Sequence, residues 1–298
     1  MTTSQMRTVI DPATLLGFVS LTVSDLERSL AFYAGVVGFV LLQRTDGTAV
    51  LGAGDLPLLT LTEDRGAAPW TSGYTGLHHF APVLPSRGDL GRLYRRLLDH
   101  GYEPIGEEHR ATEAIYFDDP DNQRIEMYQD RSSDMWSGGI GEIPFDAEGL
   151  LEAGATENTR WEGLPAGTRL GHMHLRVGDI ERAKEFYHGV LGFDVMAEMP
   201  EALFVSAGGY HHHIGMNIWE SKGASAPPEH TAGLRFFTVD LPGDAALKNV
   251  VDRVSAAGLS PERTAEGIVV RDPWSTQILL RAGTDRTAES VLALARSI

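Results

Sequence analysis

The feature that most constrains how this chain can fold is an internal repeat: Gly17 to Phe39 reads GFVSLTVSDLERSLAFYAGVVGF, and Gly171 to Phe193 reads GHMHLRVGDIERAKEFYHGVLGF. The shared register sets Leu21 against Leu175, Val23 against Val177, Asp25 against Asp179, Arg28 against Arg182, and Phe32-Tyr33 against Phe186-Tyr187. Agreement over that length is duplication, so both copies must adopt one supersecondary unit. Each opens with the alternating residues of a strand and then meets a helix start. Ser24 with Glu27 fits a capping box, Asp179 suits a first helical turn, and Gly38 and Gly192 end the helices. Apolar strand material broken by Gly and Pro turns follows, as in Ala49 to Leu61 and Ala202 to Trp219.

A weaker repeat lies inside each half. Gly76-Leu77-His78-His79-Phe80 through Leu84-Pro85 matches Gly233-Leu234-Arg235-Phe236-Phe237 through Leu241-Pro242, with helices ending at Gly101 and Gly258. Both close on an Asp-Pro turn and a last strand, Asp119-Pro120 to Tyr128 and Asp272-Pro273 to Leu280. The chain therefore reads as four modules in order: a first pair over 1–131, a linker over 132–165, a second pair over 166–283, and a tail over 284–298. The linker is rich in Gly and acidic residues, carries Trp136 and Trp161, and shows no helical or strand periodicity, while the tail suits one short helix. The stripe Leu90, Leu93, Tyr94, Leu97 and Leu98 is core by its helical spacing.

Composition narrows the functions open to such a chain. A formal net charge of −16 disfavours nucleic acid and anionic membrane surfaces. There is no cysteine, so any metal must be held by His, Asp and Glu. With no apolar run before Leu15 and no later stretch long enough to span a bilayer, the expected location is the cytoplasm.

Openings such as GHMHLRVGDIERAKEFY and closings such as YFDDPDNQRIEMY resemble the vicinal oxygen chelate superfamily, over about residues 15 to 131 and 168 to 283. Its members include glyoxalase I, bleomycin-resistance proteins and extradiol ring-cleavage dioxygenases, and a two-domain catechol 2,3-dioxygenase is the most similar kind. The resemblance implies an α+β fold in which four βαβββ modules form two curled-sheet domains. It also implies a divalent metal held by first-strand histidines and a last-strand glutamate. Aligning the modules gives Phe18, His79, His172 and Phe236 at the first-strand position, and Glu126 and Leu279 at the last-strand position. His79, Glu126 and His172 thus sum to one site, which requires modules two and three to share a cup, within one chain or by exchange between two. A homo-oligomer is compatible with either arrangement.

Two neutral imidazoles and a carboxylate leave adjacent coordination positions open, which suits Fe(II), with Mn(II) as the alternative. Strand alternation turns His78 to the opposite face, whereas His174 shares the face of His172. The run His211-His212-His213 lies in strand material, and His212-His213-Ile214-Gly215-Met216 is similar to the extradiol segment that carries an acid/base histidine. That makes His212 the candidate proton carrier and His213 the reserve. Tyr116, ten residues before Glu126, stands where extradiol enzymes place a tyrosine on the ring-bound oxygen, and His109 resembles their substrate-side histidine. Arg235, beside a ligand position that the repeat leaves apolar, reads equally well as a solvated strand residue. The resemblance implies a small aromatic diol and O₂ as substrates. The alternatives are a glyoxalase or isomerase-like metalloenzyme and a metal-free small-molecule binding protein.

Overall fold

In the computed structural model, which describes residues 9–136, 142–156 and 161–298, strand alternation and the glycine stops produce four copies of one unit. Module one holds β1 (Leu15–Val23), β2 (Val40–Thr45), β3 (Thr48–Ala53) and β4 (Leu56–Glu63). Module two holds β5 (Gly76–Val83), β6 (Ile105–His109), β7 (Thr112–Asp118) and β8 (Arg124–Asp130), and is followed by the two-residue β9 (Glu142–Ile143). Module three holds β10 (Arg169–Arg176), β11 (Asp194–Met199), β12 (Ala202–Ser206) and β13 (Ile214–Asn217). Module four holds β14 (Gly233–Leu241), β15 (Glu262–Arg263), β16 (Ile268–Arg271) and β17 (Gln277–Ala282). The α-helices are α1 (Leu26–Leu30), α2 (Arg87–Asp99), α3 (Ala147–Thr156), α4 (Ile180–Lys184), α5 (Asp244–Ala256) and α6 (Ala288–Ser297), and α1 and α4 continue in π-helical form over Ala31–Val37 and Glu185–Val190. Among the described residues no helix is long and apolar enough to cross a membrane.

The strands form two sheets, ordered β15-β16-β17-β14-β1-β4-β3-β2 and β11-β12-β13-β10-β5-β8-β7-β6-β9. Modules one and four share the first, and modules two and three share the second. The junctions are the antiparallel pairs β1 with β14 and β10 with β5. Each half of the sequence gives one module to each sheet, which is the pairing the ligand positions call for, made within a single chain.

Alternation, reset by the register shifts between Leu170 and His172 on β10 and between Leu16 and Val19 on β1, then sorts the side chains. On β10, Leu170, Met173 and Leu175 enter the main core, and His172 and His174 face the other way into the cup of the second sheet. On β1, Leu16, Val19 and Leu21 enter the same core, while Phe18 faces the first sheet's concavity. Helix α6 closes that concavity: Val291, Leu292 and Leu294 pack with Phe18, Val50, Phe236, Val269 and Leu279. The apolar residues at the ligand positions of modules one and four are thus a core, each worth about 1.5–3 kcal/mol when fully buried. A capping box between Thr287 and Ser290 starts α6, and Arg235 ties its end by donating from Nη1 to Thr62 Oγ1 (2.6 Å) and the Ala295 carbonyl (2.7 Å). Arg235 is therefore a tether and not a solvated strand residue.

Two further local readings need correction. Asp25, not Ser24, caps α1, its side chain accepting from the Arg28 N–H. Asp179 does the same for α4, so the two repeats use matched caps. Ser24 Oγ instead donates to Asp121 at 2.6 Å. The linker carries α3, which crosses α2 so closely that a Cβ on Gly91 would stand 2.1 Å from the Leu150 carbonyl oxygen. Small residues permit that approach, and they also weaken the periodic signal of the helix.

The topology makes a prediction about fragments. Residues 1–135 and 160–298, made separately, each carry one module of each sheet and an incomplete donor set. Neither fragment is expected to hold metal tightly, and co-expression is expected to restore binding. Metal analysis of the purified fragments checks this, and a fully loaded single half contradicts it.

Candidate metal centre

The second sheet places β5 between β10 and β8, so one strand on each side can reach the same point above its middle. His79 projects from β5, His172 from β10 and Glu126 from β8, and all three are buried. Glu126 Oε2 lies 2.9 Å from His79 Nε2 and 3.1 Å from His172 Nε2, so both imidazoles converge on one oxygen. Donors bonded at about 2.0–2.2 Å to one ion stand roughly 3 Å apart when adjacent. At 2.9 Å the His79 Nε2 is nevertheless not aligned for a hydrogen bond to any described residue. A buried ring nitrogen beside a carboxylate without hydrogen-bond alignment suits metal ligation, and the trio fits a divalent metal.

The electrostatics agree. Burial alone would raise the Glu126 carboxyl, but the His172 and His79 imidazoles outweigh it and hold the group well below the ordinary carboxylate range. Burial lowers His79 despite the pull of Glu126. Burial also takes His78 down to about 2 and His213 down to about 3. Glu126 is therefore held as the carboxylate and His79 as the neutral imidazole, the protonation states that metal ligation needs.

Tyr116 sits directly opposite Glu126 in the β7–β8 register, its ring 5.6 Å from that of His79. Burial, then the Glu126 charge, push its hydroxyl well above the ordinary tyrosine range, so it stays a donor. His211, His212 and His213 lie in the connection before β13 and not in the strand itself. His212 packs on His172 with ring centroids 4.2 Å apart and has Phe204 at 5.1 Å on another side. His213 is turned to the end of β12, where its Nδ1 accepts from the Ala207 N–H (3.2 Å) and lies 2.9 Å from Ser206 Oγ. His109 lies apart. Ile105 pairs with Tyr116, and His109 is four residues further along β6, about 13 Å at strand rise. Its Nε2 is 3.5 Å from Glu107.

Strand alternation misplaced His78. The β5–β10 ladder shifts register between His174 and Leu175, and that bulge brings His78 to the His79 side, with Nδ1 of the two rings 2.9 Å apart. His174 joins them and is anchored by Asn217, whose Nδ2 is 3.0 Å from His174 Nε2. A second group was also not anticipated. Asp130 accepts from Tyr210 at 3.0 Å and stands 3.0 Å from His211 Nε2, while His211 Nδ1 is 2.9 Å from His212 Nδ1. Tyr128, two residues past Glu126 and on its face, reaches Tyr210 at 2.7 Å. The alternation Glu126, Tyr128, Asp130 was the available signal. Trp136 of the linker covers this group, 5.3 Å from Tyr210 and from His211.

Gly171 makes room for the network, since a Cβ there would stand 1.9 Å from the Tyr128 hydroxyl. Gly171→Ala is therefore expected to destabilise the protein by about 1–3 kcal/mol through overpacking. Denaturant unfolding measures it, and an unchanged midpoint would refute the close approach.

Comparison with known proteins supplies the family. The family model described as the Glyoxalase/Bleomycin resistance protein/Dioxygenase superfamily matches residues 15–127 and 169–274. The chain is 43% identical over 279 residues to the catechol-2,3-dioxygenase of Bacillus subtilis (strain 168), covering 90% of this chain and 97% of that protein. It is 35% identical over 66 residues to biphenyl-2,3-diol 1,2-dioxygenase 2 of Rhodococcus globerulus, covering 22% of this chain and 35% of that one. Among solved structures, glyoxalase I from Zea mays has a TM-score of 0.58 at 18% identity, covering 96% of this chain and 98% of its own. That likeness shows shared fold and not shared reaction. On the match across both halves and the full-length relative, the chain belongs to the glyoxalase/bleomycin resistance protein/dioxygenase superfamily.

Proposed function

We propose that the protein is an extradiol-type ring-cleaving dioxygenase that acts on a catecholic or hydroquinone-like aromatic with O₂ at Fe(II) held by His79, Glu126 and His172. The observation that carries this reading is the convergence of two imidazole nitrogens on one carboxylate oxygen at a single buried point. The 43% identity to a catechol-2,3-dioxygenase supports it. Three donors on one side leave room for a chelating diol and a second small ligand. Iron held by His79, Glu126 and His172 would supply a template for the diol oxygens and a route for electrons to O₂.

The protein's own residues do the rest. His212, neutral and packed on His172, accepts a hydroxyl proton of the diol and returns it later in the cycle. His213, pinned at Nδ1 by the end of β12, supports that loop and remains the reserve proton carrier. Tyr116 keeps its proton and donates a hydrogen bond to a ring oxygen. Phe204 supplies an apolar wall beside His212 and His174. A substrate-side role for His109, given its place on β6, falls to the distal end of a long ring substituent.

The experiment is anaerobic loading with Fe(II), followed by oxygen uptake across a panel of catechols and hydroquinones. Uptake matched to loss of the diol is expected. Turnover of a hemithioacetal without oxygen consumption would assign the protein to the isomerase branch of the family.

A further inference from the structure

His79 stands at the meeting of two donor groups. Its Nε2 faces Glu126 at 2.9 Å, and its Nδ1 faces His78 Nδ1 at 2.9 Å. His78, His79 and His174 present ligand nitrogens within 4.8 Å of one another. Their rings form a near-equilateral triangle, with centroid separations of 5.0 Å (His78–His79), 4.8 Å (His78–His174) and 4.8 Å (His79–His174). Three imidazoles bonded tetrahedrally to one ion at about 2.0–2.1 Å place their centroids roughly 5 Å apart, so small side-chain rotations complete the site. Asn217 Nδ2 lies 3.0 Å from His174 Nε2 and can only donate to it, so His174 ligates a cation by exchanging that hydrogen bond for the metal. Trp219, 55% exposed, stands 5.6 Å from His78 and 5.9 Å from His174, which sets the cluster towards solvent.

We propose that His78, His79 and His174 form a second, all-imidazole site for a zinc-class divalent cation, and that it competes with the His79–Glu126–His172 site for the shared ring. The donor sets explain the division. Without a carboxylate, the imidazole triad follows the order that favours later first-row ions and zinc over Fe(II) and Mn(II), whereas Glu126 gives the first site its hard anionic donor. A neutral imidazole has one nitrogen lone pair, so a cation taken at His79 Nδ1 removes His79 Nε2 from the first site. The competition, though not the second site itself, rests on the reading that iron occupies the first site.

The test titrates the full-length, metal-free protein with Zn(II) against a chromophoric chelator. Glu126→Ala is expected to keep one tightly bound Zn(II) per chain. Adding His78→Phe or His174→Phe to that variant is expected to weaken Zn(II) at least about 10-fold, with His174→Asn as the gentler change should the Phe variant unfold. Added to the iron-loaded wild type, Zn(II) is expected to release iron, and to do so less readily in His78→Phe. Absence of Zn(II) binding in Glu126→Ala, or equal Zn(II) affinity in all these variants, overturns the proposal. Failure of the dioxygenase reading would appear separately, as absent oxygen uptake with the zinc results unaltered.

Discussion

Glu126→Ala is expected to lower Fe(II) affinity by at least about 100-fold and to remove turnover with it. Loss of an outer-sphere partner alone typically costs 10–100-fold, and Glu126 is the one anionic donor in the trio. Its oxygen is the point on which both His79 Nε2 and His172 Nε2 converge, so without it two neutral imidazoles face a divalent cation. Iron analysis of the purified variant decides the matter. Wild-type iron content together with wild-type rate would show that the metal is held elsewhere.

The second large effect separates chemistry from binding. His212→Phe is expected to keep iron at the wild-type level and to slow turnover by about 10² to 10⁴-fold, the usual contribution of a positioned proton carrier. The ring packs on His172 without joining the group of mutually close ligand atoms, and phenylalanine preserves its packing against Phe204. His213→Phe is expected instead to disturb stability, because the His213 Nδ1 accepts from the Ala207 N–H at the end of β12. Should the two variants exchange these behaviours, the proton carrier is His213.

Much of this molecule was legible because duplication supplied its own alignment. Matching Phe18 and Phe236 to His172 and His79 separated apolar from ligating positions, and that alone dictated which modules share a sheet. What escaped was what period-two and period-3.6 patterns do not carry. The β5–β10 bulge reverses the side of His78, and a register shift is set by the partner strand and not by its own residues. The α3 helix was hidden by Gly149 and Gly154: the first leaves room for the Asp146 carboxylate, and the second permits the approach to α2. The role of α6 was also silent. A short amphipathic tail reads alike whether it lies on a surface or, as here, fills the first sheet's concavity around Phe18, Phe236 and Leu279. The Asp130–Tyr210–His211 group joins β8 to the loop after β12, a contact made only in the folded sheet.

The central claim is that one buried trio shared by modules two and three supports oxygen-dependent ring cleavage. Turnover of a catechol by the Fe(II)-loaded wild type under ¹⁸O₂, read by mass spectrometry of the product, tests it most directly. The account predicts a ring-opened acid carrying ¹⁸O in its new carboxylate; a product formed at the same rate without label, or equally under argon, would contradict it.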